Sequence, residues 1–211
     1  MYQERPNFIL GFHGCDKSVC ETLLNHPDTY KSSKESHDWL GHGIYFWENN
    51  HDRALQWAYD KKKRGSLNYP AVIGAILHLG NCCDLTDQES IGLVKSYHKS
   101  LEEDYGKLGF SLPKNRDLKT DTYQDMLLRE LDCTVLEYMH AKIHSQYDYE
   151  IAASGYSNYK VYDSVRGVFT EGGPIYTGAG IFEKSHIQIC IRNSNCIKGF
   201  FLPRKEKKWP A

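Results

Sequence analysis

Residues 41–48 read Gly-His-Gly-Ile-Tyr-Phe-Trp-Glu and form the most informative stretch of this 211-residue chain. Two glycines precede an apolar run rich in β-forming side chains, so the pattern predicts a strand over residues 43–47. Gly41 and Gly43 would allow this strand to bend into a cleft, because glycine tolerates conformations that a Cβ forbids. The ring of Tyr45 could stack on a flat ligand there, although a tyrosine in such a run is most often a core residue.

A second apolar run with a polar end lies nearer the N-terminus, where residues 9–15 read Ile-Leu-Gly-Phe-His-Gly-Cys. The pattern predicts a strand over residues 7–12 that ends at His13. A lone histidine at a strand end is usually a structural hydrogen-bonding residue, but Gly14 changes this expectation. A glycine backbone can present its N–H and C=O to a carboxamide, which carries both an acceptor and a donor group. His13 could then reach a ribose hydroxyl.

A third run, residues 185–192, reads Ser-His-Ile-Gln-Ile-Cys-Ile-Arg and alternates as a strand does. The alternation places His186 and Gln188 on one face and three isoleucines on the other. Two polar side chains on one face of an apolar strand fit a cleft wall. They fit equally well a half-exposed strand whose polar face lies in water, and the pattern leaves both interpretations open.

The composition bounds the function classes. Lys and Arg number 26 against 27 Asp and Glu, so no overall basic field favours nucleic acid or a membrane surface. The seven cysteines are odd in number and irregularly spaced, which argues against a disulfide framework and predicts a reducing cytoplasm. We expect no secretory signal and no membrane helix, because no apolar run is long enough.

The order of the predicted elements is strands, then a helical block, then strands. This order predicts one α+β domain over residues 1–211 with a mixed or antiparallel sheet, and residues 86–162 as a helical insertion of unknown role. The chain has neither the βαβ alternation nor the Gly-x-Gly-x-x-Gly turn of a doubly wound dinucleotide-binding fold. The other predicted elements are a short helix capped by Asp16 or Ser18, helices over residues 52–63, 87–105 and 122–144, and strands over residues 70–79, 163–169 and 196–202.

These motifs together resemble the ADP-ribosyltransferases of the His-Tyr-Glu branch, which contains the poly(ADP-ribose) polymerases and diphtheria-like toxins. Phe-His-Gly-Cys at 12–15 is similar to the branch's Trp-His-Gly-Ser, and residues 41–48 resemble its Gly-Lys-Gly-Ile-Tyr-Phe-Ala-Asp. Residues 76–85 resemble its Val-Ala-Leu-Gly-Asn-Met-Tyr-Glu-Leu, and residues 188–202 align without a gap with its final strand pair. The resemblance covers the flanks of the chain, and the helical block has no counterpart.

The resemblance implies a fold, a substrate and residue roles. The fold would be the family's split mixed or antiparallel sheet, and NAD would be the substrate. Gly14 would bind the nicotinamide carboxamide, Tyr45 would stack on the nicotinamide ring, and His13 would bind a ribose hydroxyl. The family's glutamate holds the 2′-hydroxyl of the nicotinamide ribose and stabilises the oxocarbenium-like transition state by electrostatics.

The chain departs from the family at that glutamate, because the gapless alignment places Gln188 there. In one interpretation Gln188 suffices for a slower reaction that transfers a single ADP-ribose. In another, Glu183 or Glu171, in the loop before the strand, supplies the carboxylate. In the third, the fold is a non-catalytic reader.

Further residues complete the candidate site. Arg53 could fork onto a pyrophosphate, and Trp57, in the same predicted helix, could stack on the ligand. His186 joins the cofactor-binding set because it shares a strand face with Gln188. His140 and His144 have an i, i+4 spacing that can bind a metal ion, but a solvated pair is the expected interpretation and no metal is predicted.

The resemblance therefore implies a mono-ADP-ribosyltransferase of the EC 2.4.2 class, with a protein or nucleic-acid acceptor. Basic runs at residues 61–64 and 204–208 slightly favour RNA or DNA through phosphate contacts. A bare catalytic domain resembles a cytoplasmic bacterial toxin or phage-defence effector, whose partner would be an antitoxin or other inhibitor. The alternative is an inactive module that binds NAD, ADP-ribose or a partner protein.

Overall fold

A computed structural model describes residues 7–119 and 121–204. Its strands are β1 (Ile9–Asp16), β2 (Ile44–Glu48), β3 (Pro70–Leu77), β4 (Cys82–Asp84), β5 (Ser164–Phe169), β6 (His186–Ile191) and β7 (Ile197–Phe201). Its helices are α1 (Lys17–Asn25), α2 (His51–Lys63), α3 (Gln88–Leu108) and α4 (Glu130–Ser154), with 3₁₀ turns at Pro27–Thr29 and Ser194–Cys196.

Hydrogen bonding orders the strands β4-β5-β6-β2-β1-β3-β7. The pairs β1–β2, β1–β3, β3–β7 and β5–β6 are antiparallel, whereas β4 runs parallel to β5. The chain is therefore α+β with a mixed sheet, as the order of predicted elements indicated. Strand β4 was not predicted, because its three residues are too few to show a periodic pattern.

The chain divides into two compact units. Among the described residues, the first contains 7–30, 46–78 and 197–204, and the second contains 31–45, 79–119 and 121–196. Strand β2 contributes to both, because Ile44 and Tyr45 belong to the second unit and the rest of the strand belongs to the first.

In the first unit, β1 pairs with β3 along its whole length, from Ile9 opposite Leu77 to Asp16 opposite Pro70. The predicted strand end at His13 is therefore wrong. His13 and Gly14 lie inside a paired strand because the ladder with β3 continues past the glycine, which local propensity disfavours. Asp16 ends the strand and caps α1 by accepting a hydrogen bond from the Ser18 N–H at 3.2 Å. Of the two predicted caps, Asp16 and Ser18, the structure has Asp16.

In the second unit, α4 buries a stripe formed by Leu136, Met139 and Ile143. The stripe has the i, i+3, i+7 spacing of an amphipathic helix. It packs against a core that also includes Trp39, Leu40, Cys83, Val165, Phe169 and Cys190. The helical block thus covers the strands of its own unit.

The bounds of α4 differ from the predicted residues 122–144. The helix begins at Glu130 because aspartate side chains hold the preceding loop: Asp117 accepts from the Met126 N–H at 2.7 Å, and Asp121 accepts from the Asp125 N–H at 2.8 Å. Such local bonds compete with helix formation. The helix then continues to Ser154 and ends at Gly155, whose φ of 72° gives a left-handed cap.

We predict that Met139→Ala lowers the free energy of unfolding by about 2–5 kcal/mol, because truncating a fully buried side chain loses contacts and leaves a cavity. Met139 has 0% of its surface exposed. Chemical denaturation measures the change. Ile151→Ala on the same helix is the matched control, since Ile151 is 39% exposed. Equal losses in the two variants would contradict the packing of α4 described above.

Candidate functional site

His13 and Gly14 lie side by side on β1. The His13 side chain is half-buried, and its ring lies 5.9 Å from that of Phe46 in an edge-on arrangement. Gly14 is buried beneath α2. A Cβ at this position would clash with the Ala54 carbonyl oxygen and approach Trp57 Cε3 to 3.3 Å. The close packing of α2 on β1 thus requires a glycine at position 14, whether or not its backbone also binds a carboxamide.

Arg53 and Trp57 lie together on α2 in the first unit. The side chain of Asn50 caps this helix by accepting from the Arg53 N–H at 3.0 Å. The Arg53 guanidinium is buried, 5.9 Å from the centre of the Trp47 ring, and the Trp57 ring lies 5.4 Å from that same ring. The two predicted ligand-binding side chains therefore belong to one aromatic cluster, in which Arg53 packs against an indole face.

Tyr45 on β2 is half-buried, and its ring packs against the core of the second unit. Its hydroxyl accepts from the Leu40 N–H at 2.9 Å and donates to the Gly41 carbonyl at 2.7 Å. Burial raises the pKa of Tyr45 far above its ordinary value, so the phenol stays neutral. The hydroxyl thus holds the turn before β2 in place.

The same turn is held from α4. Gly41 has φ 78°, and a Cβ there would lie 2.6 Å from Glu137 Oε1 and 3.0 Å from Arg192 Nη1. Glu137 Oε1 accepts from the His42 N–H at 2.8 Å and from the Arg192 guanidinium. Arg192 Nη1 also donates to the His42 carbonyl at 3.0 Å. The helical block, whose role the sequence did not indicate, therefore positions the turn that precedes Tyr45.

Burial alone would raise the pKa of Glu137, but hydrogen bonds from Arg192 and from the His42 N–H outweigh it and hold the pKa below its ordinary value of 4.5. A carboxyl group whose pKa falls on folding stabilises the fold above its unfolded pKa. That stabilisation is lost as the pH falls through the folded pKa.

We predict that Glu137→Gln lowers the free energy of unfolding by about 1–3 kcal/mol at neutral pH, because the charged partner of Arg192 is lost. The difference from wild type should shrink as the pH falls below 4.5, where the wild-type carboxylate becomes protonated. Denaturant titrations of both proteins, from neutral pH to below pH 4.5, measure this difference in unfolding free energy. Glu103→Gln on the exposed face of α3 is the control, and a difference that does not change with pH would exclude the ion pair as its source.

Gln188 and His186 share a face of β6. The register pairs Gln188 with Gly167 and His186 with Phe169, and directly opposite residues project to the same face. Cys190, the next residue on this face, is fully buried. His186 on this face is buried and Gln188 is half-buried, so the face is largely covered by protein at His186 and partly open at Gln188.

Around Gln188 lies a group that we name the β5–β6 aromatic cluster: Trp39, Arg129, Phe169, His186 and Gln188. Trp39 Nε1 donates to Gln188 Oε1 at 2.6 Å. The buried His186 ring stacks on Phe169 with centroids 5.7 Å apart, and its Nδ1–H donates to the Lys184 carbonyl at 2.6 Å. The Arg129 guanidinium lies 4.0 Å from the centre of the Phe169 ring.

Sequence reasoning identified Gln188 and His186 but missed Trp39, Arg129 and Phe169. Trp39 lies outside every predicted helix and strand, and Arg129 lies within residues predicted as helix. The one available signal was Gly167 within β5. A Cβ at Gly167 would lie 2.8 Å from Trp39 Cη2, so a glycine in a strand there indicates the close approach of a large side chain.

The two candidate carboxylates differ in environment. Glu183 is exposed, and its N–H donates to the Gly173 carbonyl at 2.9 Å. Glu171 is buried, and its charge raises the pKa of Arg129, although burial leaves that pKa lower than usual overall. Glu171 therefore lies near enough to the half-buried Arg129 to influence its charge, whereas Glu183 is open to solvent.

His140 and His144 do not form a solvated pair. His140 is buried with its ring 6.0 Å from that of Tyr162, and burial lowers its pKa to about 3. His144 is exposed and lies 3.4 Å from an Asp148 oxygen. In residues 7–119 and 121–204, no group of three or more His, Cys, Asp or Glu side chains is arranged to hold a metal ion.

Comparison of the chain with protein-family models, with curated proteins and with solved structures finds no match. In the described part of the chain, no helix combines the length and apolar character that a bilayer crossing requires.

Proposed function

We propose that this protein is an NAD-dependent mono-ADP-ribosyltransferase, which transfers ADP-ribose from NAD to a macromolecular acceptor and releases nicotinamide. The strand order carries the proposal. Two motifs that lie far apart in the sequence contribute Gln188 and Tyr45 to the second unit, and their strands β6 and β2 are neighbours in the sheet. A chance resemblance of two short motifs gives no reason for their strands to be neighbours.

The local contacts fit the proposed roles. Tyr45 is neutral, and its hydroxyl is bonded to the backbone, so that its ring is held in one position and would stack on nicotinamide. Gly14 and His13 bind the carboxamide and a ribose hydroxyl. Gln188 hydrogen-bonds the nicotinamide ribose but supplies no negative charge, so the oxocarbenium-like transition state is less stabilised than with a carboxylate. The proposed reaction is therefore slow and ends after one transfer.

Of the two reserve carboxylates, the environment favours Glu183. Glu171 is buried, so its carboxylate could reach a ligand only if the packing around it opened. Glu183 is exposed. It therefore remains the reserve that could approach the ribose.

The wider proposal is a cytoplasmic bacterial toxin or phage-defence effector. Its acceptor is a protein or a nucleic acid, RNA included, and an antitoxin or other inhibitory protein restrains it. This part of the proposal rests on the family resemblance of the flanking motifs.

The second candidate is a non-catalytic module that binds NAD or ADP-ribose. One observation favours it: the Gln188 oxygen already accepts a hydrogen bond from Trp39, and Gln188 lacks the charge that the reaction uses. A reader requires only that the ligand be bound.

Incubation with NAD labelled in the nicotinamide and in the adenosine separates the two functions. Release of free nicotinamide with transfer of the adenosine label supports the transferase. Binding of NAD without release supports the reader. Mass spectrometry of total protein and RNA after expression then identifies the acceptor by the added mass of one ADP-ribose.

We predict that Tyr45→Ala lowers kcat/KM for nicotinamide release by more than about tenfold, because the stacking ring is lost. Tyr45→Phe keeps the ring and removes only the bonds to the turn, so its loss should be smaller. Initial rates measure both, and thermal unfolding checks that the variants are folded. Full activity of a folded Tyr45→Ala variant would exclude the stacking role.

A further inference from the structure

We propose that Trp39 is a positioning residue for Gln188, and that its indole N–H fixes which end of the Gln188 amide faces the substrate. The inference rests on the proposed function, since it concerns the residue that would bind the nicotinamide ribose. Every contact that carries it lies within the second unit.

The chemistry of the contact fixes the orientation of the amide. An indole N–H can only donate a hydrogen bond, so the atom it meets must be the amide oxygen and not the amide nitrogen. The Trp39 Nε1 to Gln188 Oε1 distance is 2.6 Å. Flipping the amide would set two donors against each other, so the Nε2 group points away from Trp39.

Trp39 is the fixed partner of the two. Its side chain is buried and lies against the backbone of β5 at Gly167, where even a Cβ would come within 2.8 Å of the ring. The Phe169 ring meets the indole edge-on with centroids 5.1 Å apart, and the Arg129 guanidinium lies 5.2 Å from its centre. An indole packed in this way has one orientation, whereas Gln188 is half-buried. Trp39 therefore orients Gln188.

The Gln188 Nε2 group is the end left for a ligand. Among residues 7–119 and 121–204, no protein atom accepts a hydrogen bond from it. The site thus offers amide N–H donors to an oxygen of the substrate, and a ribose hydroxyl provides such an oxygen. A carboxylate at position 188 would place a negatively charged acceptor at the same point.

The contact with Trp39 predicts the effect of Gln188→Glu. A carboxylate accepts the indole N–H at least as well as an amide does, since hydrogen bonds to charged acceptors are stronger. The Trp39 contact should persist, and the second carboxylate oxygen should take the position of Nε2. Gln188→Met keeps a similar side-chain length but removes the acceptor, so Trp39 should lose its partner.

The test uses the ¹H–¹⁵N resonance of the Trp39 indole in the full chain without NAD. Trp39→Phe assigns the resonance, because it removes one of the four tryptophan side chains. We expect the resonance to shift upfield in Gln188→Met and downfield in Gln188→Glu. Tyr149→Phe, at a 69% exposed position, is the control and should leave it in place.

Nicotinamide release by the same variants tests the consequence. We expect Trp39→Phe and Gln188→Met each to lower kcat by about tenfold, and Gln188→Glu to raise it by about tenfold or more, through charge at the reacting ribose. If Trp39→Phe does not fold, Gln188→Met tests the same contact from its other side. Thermal unfolding identifies the folded variants.

The outcomes separate this proposal from the proposed function. If the chemical shift of the Trp39 indole is the same in Gln188→Met as in the wild type, the positioning contact is overturned, even if the wild type releases nicotinamide. A resonance that moves while kcat stays at the wild-type value in Trp39→Phe or Gln188→Met would also overturn it. A wild type that neither binds NAD nor releases nicotinamide would overturn the proposed function, and with it the role of Trp39 toward the ribose.

Discussion

The carboxylate of Glu137 connects the helical block to the turn before Tyr45, and the geometry of the second unit depends on this connection. Glu137 Oε1 accepts hydrogen bonds from both the His42 N–H and the Arg192 guanidinium. The hydroxyl of Tyr45 also bonds to this turn: it accepts a hydrogen bond from the Leu40 N–H and donates one to the Gly41 carbonyl. The turn is thus bonded by α4, by the end of β6 and by the tyrosine that it precedes. A turn with so many partners holds one conformation, and the proposed stacking role of Tyr45 would require this.

The glycines of these motifs have a structural explanation in each case. A Cβ at Gly14 would clash with the Ala54 carbonyl, one at Gly41 would meet Glu137, and one at Gly43 would lie 2.5 Å from Cys190 Sγ. Packing therefore requires glycine at all three positions before any ligand is considered. The proposal that NAD binds consequently depends on Gln188 and Tyr45 of the second unit, not on the glycines.

Much of the architecture could be predicted from the sequence, because periodicity and caps are local signals. The helix α2, expected over residues 52–63 and observed over His51–Lys63, and the capping role of Asp16 are examples. The start of α4 could not be predicted, because it is decided by side chains earlier in the chain, such as Asp117, that hold the preceding loop. The end of β1 could not either, because it depends on pairing with β3. Within the candidate site, the motifs identified Tyr45 and Gln188 themselves, whereas the residues that orient them, Glu137 and Trp39, come from distant segments and show no pattern of their own.

The length of α4 has a consequence for how the molecule moves. Its buried residues end at Ile143, although the helix continues to Ser154, so its last turns have few apolar contacts to stabilise them. Regions with few buried contacts open locally at a small fraction of the global unfolding free energy. Backbone amides along this one helix should therefore exchange with solvent at graded rates, slowest around Met139 and fastest toward Gly155, so that a rigid support for the turn and a fraying end coexist in a single element.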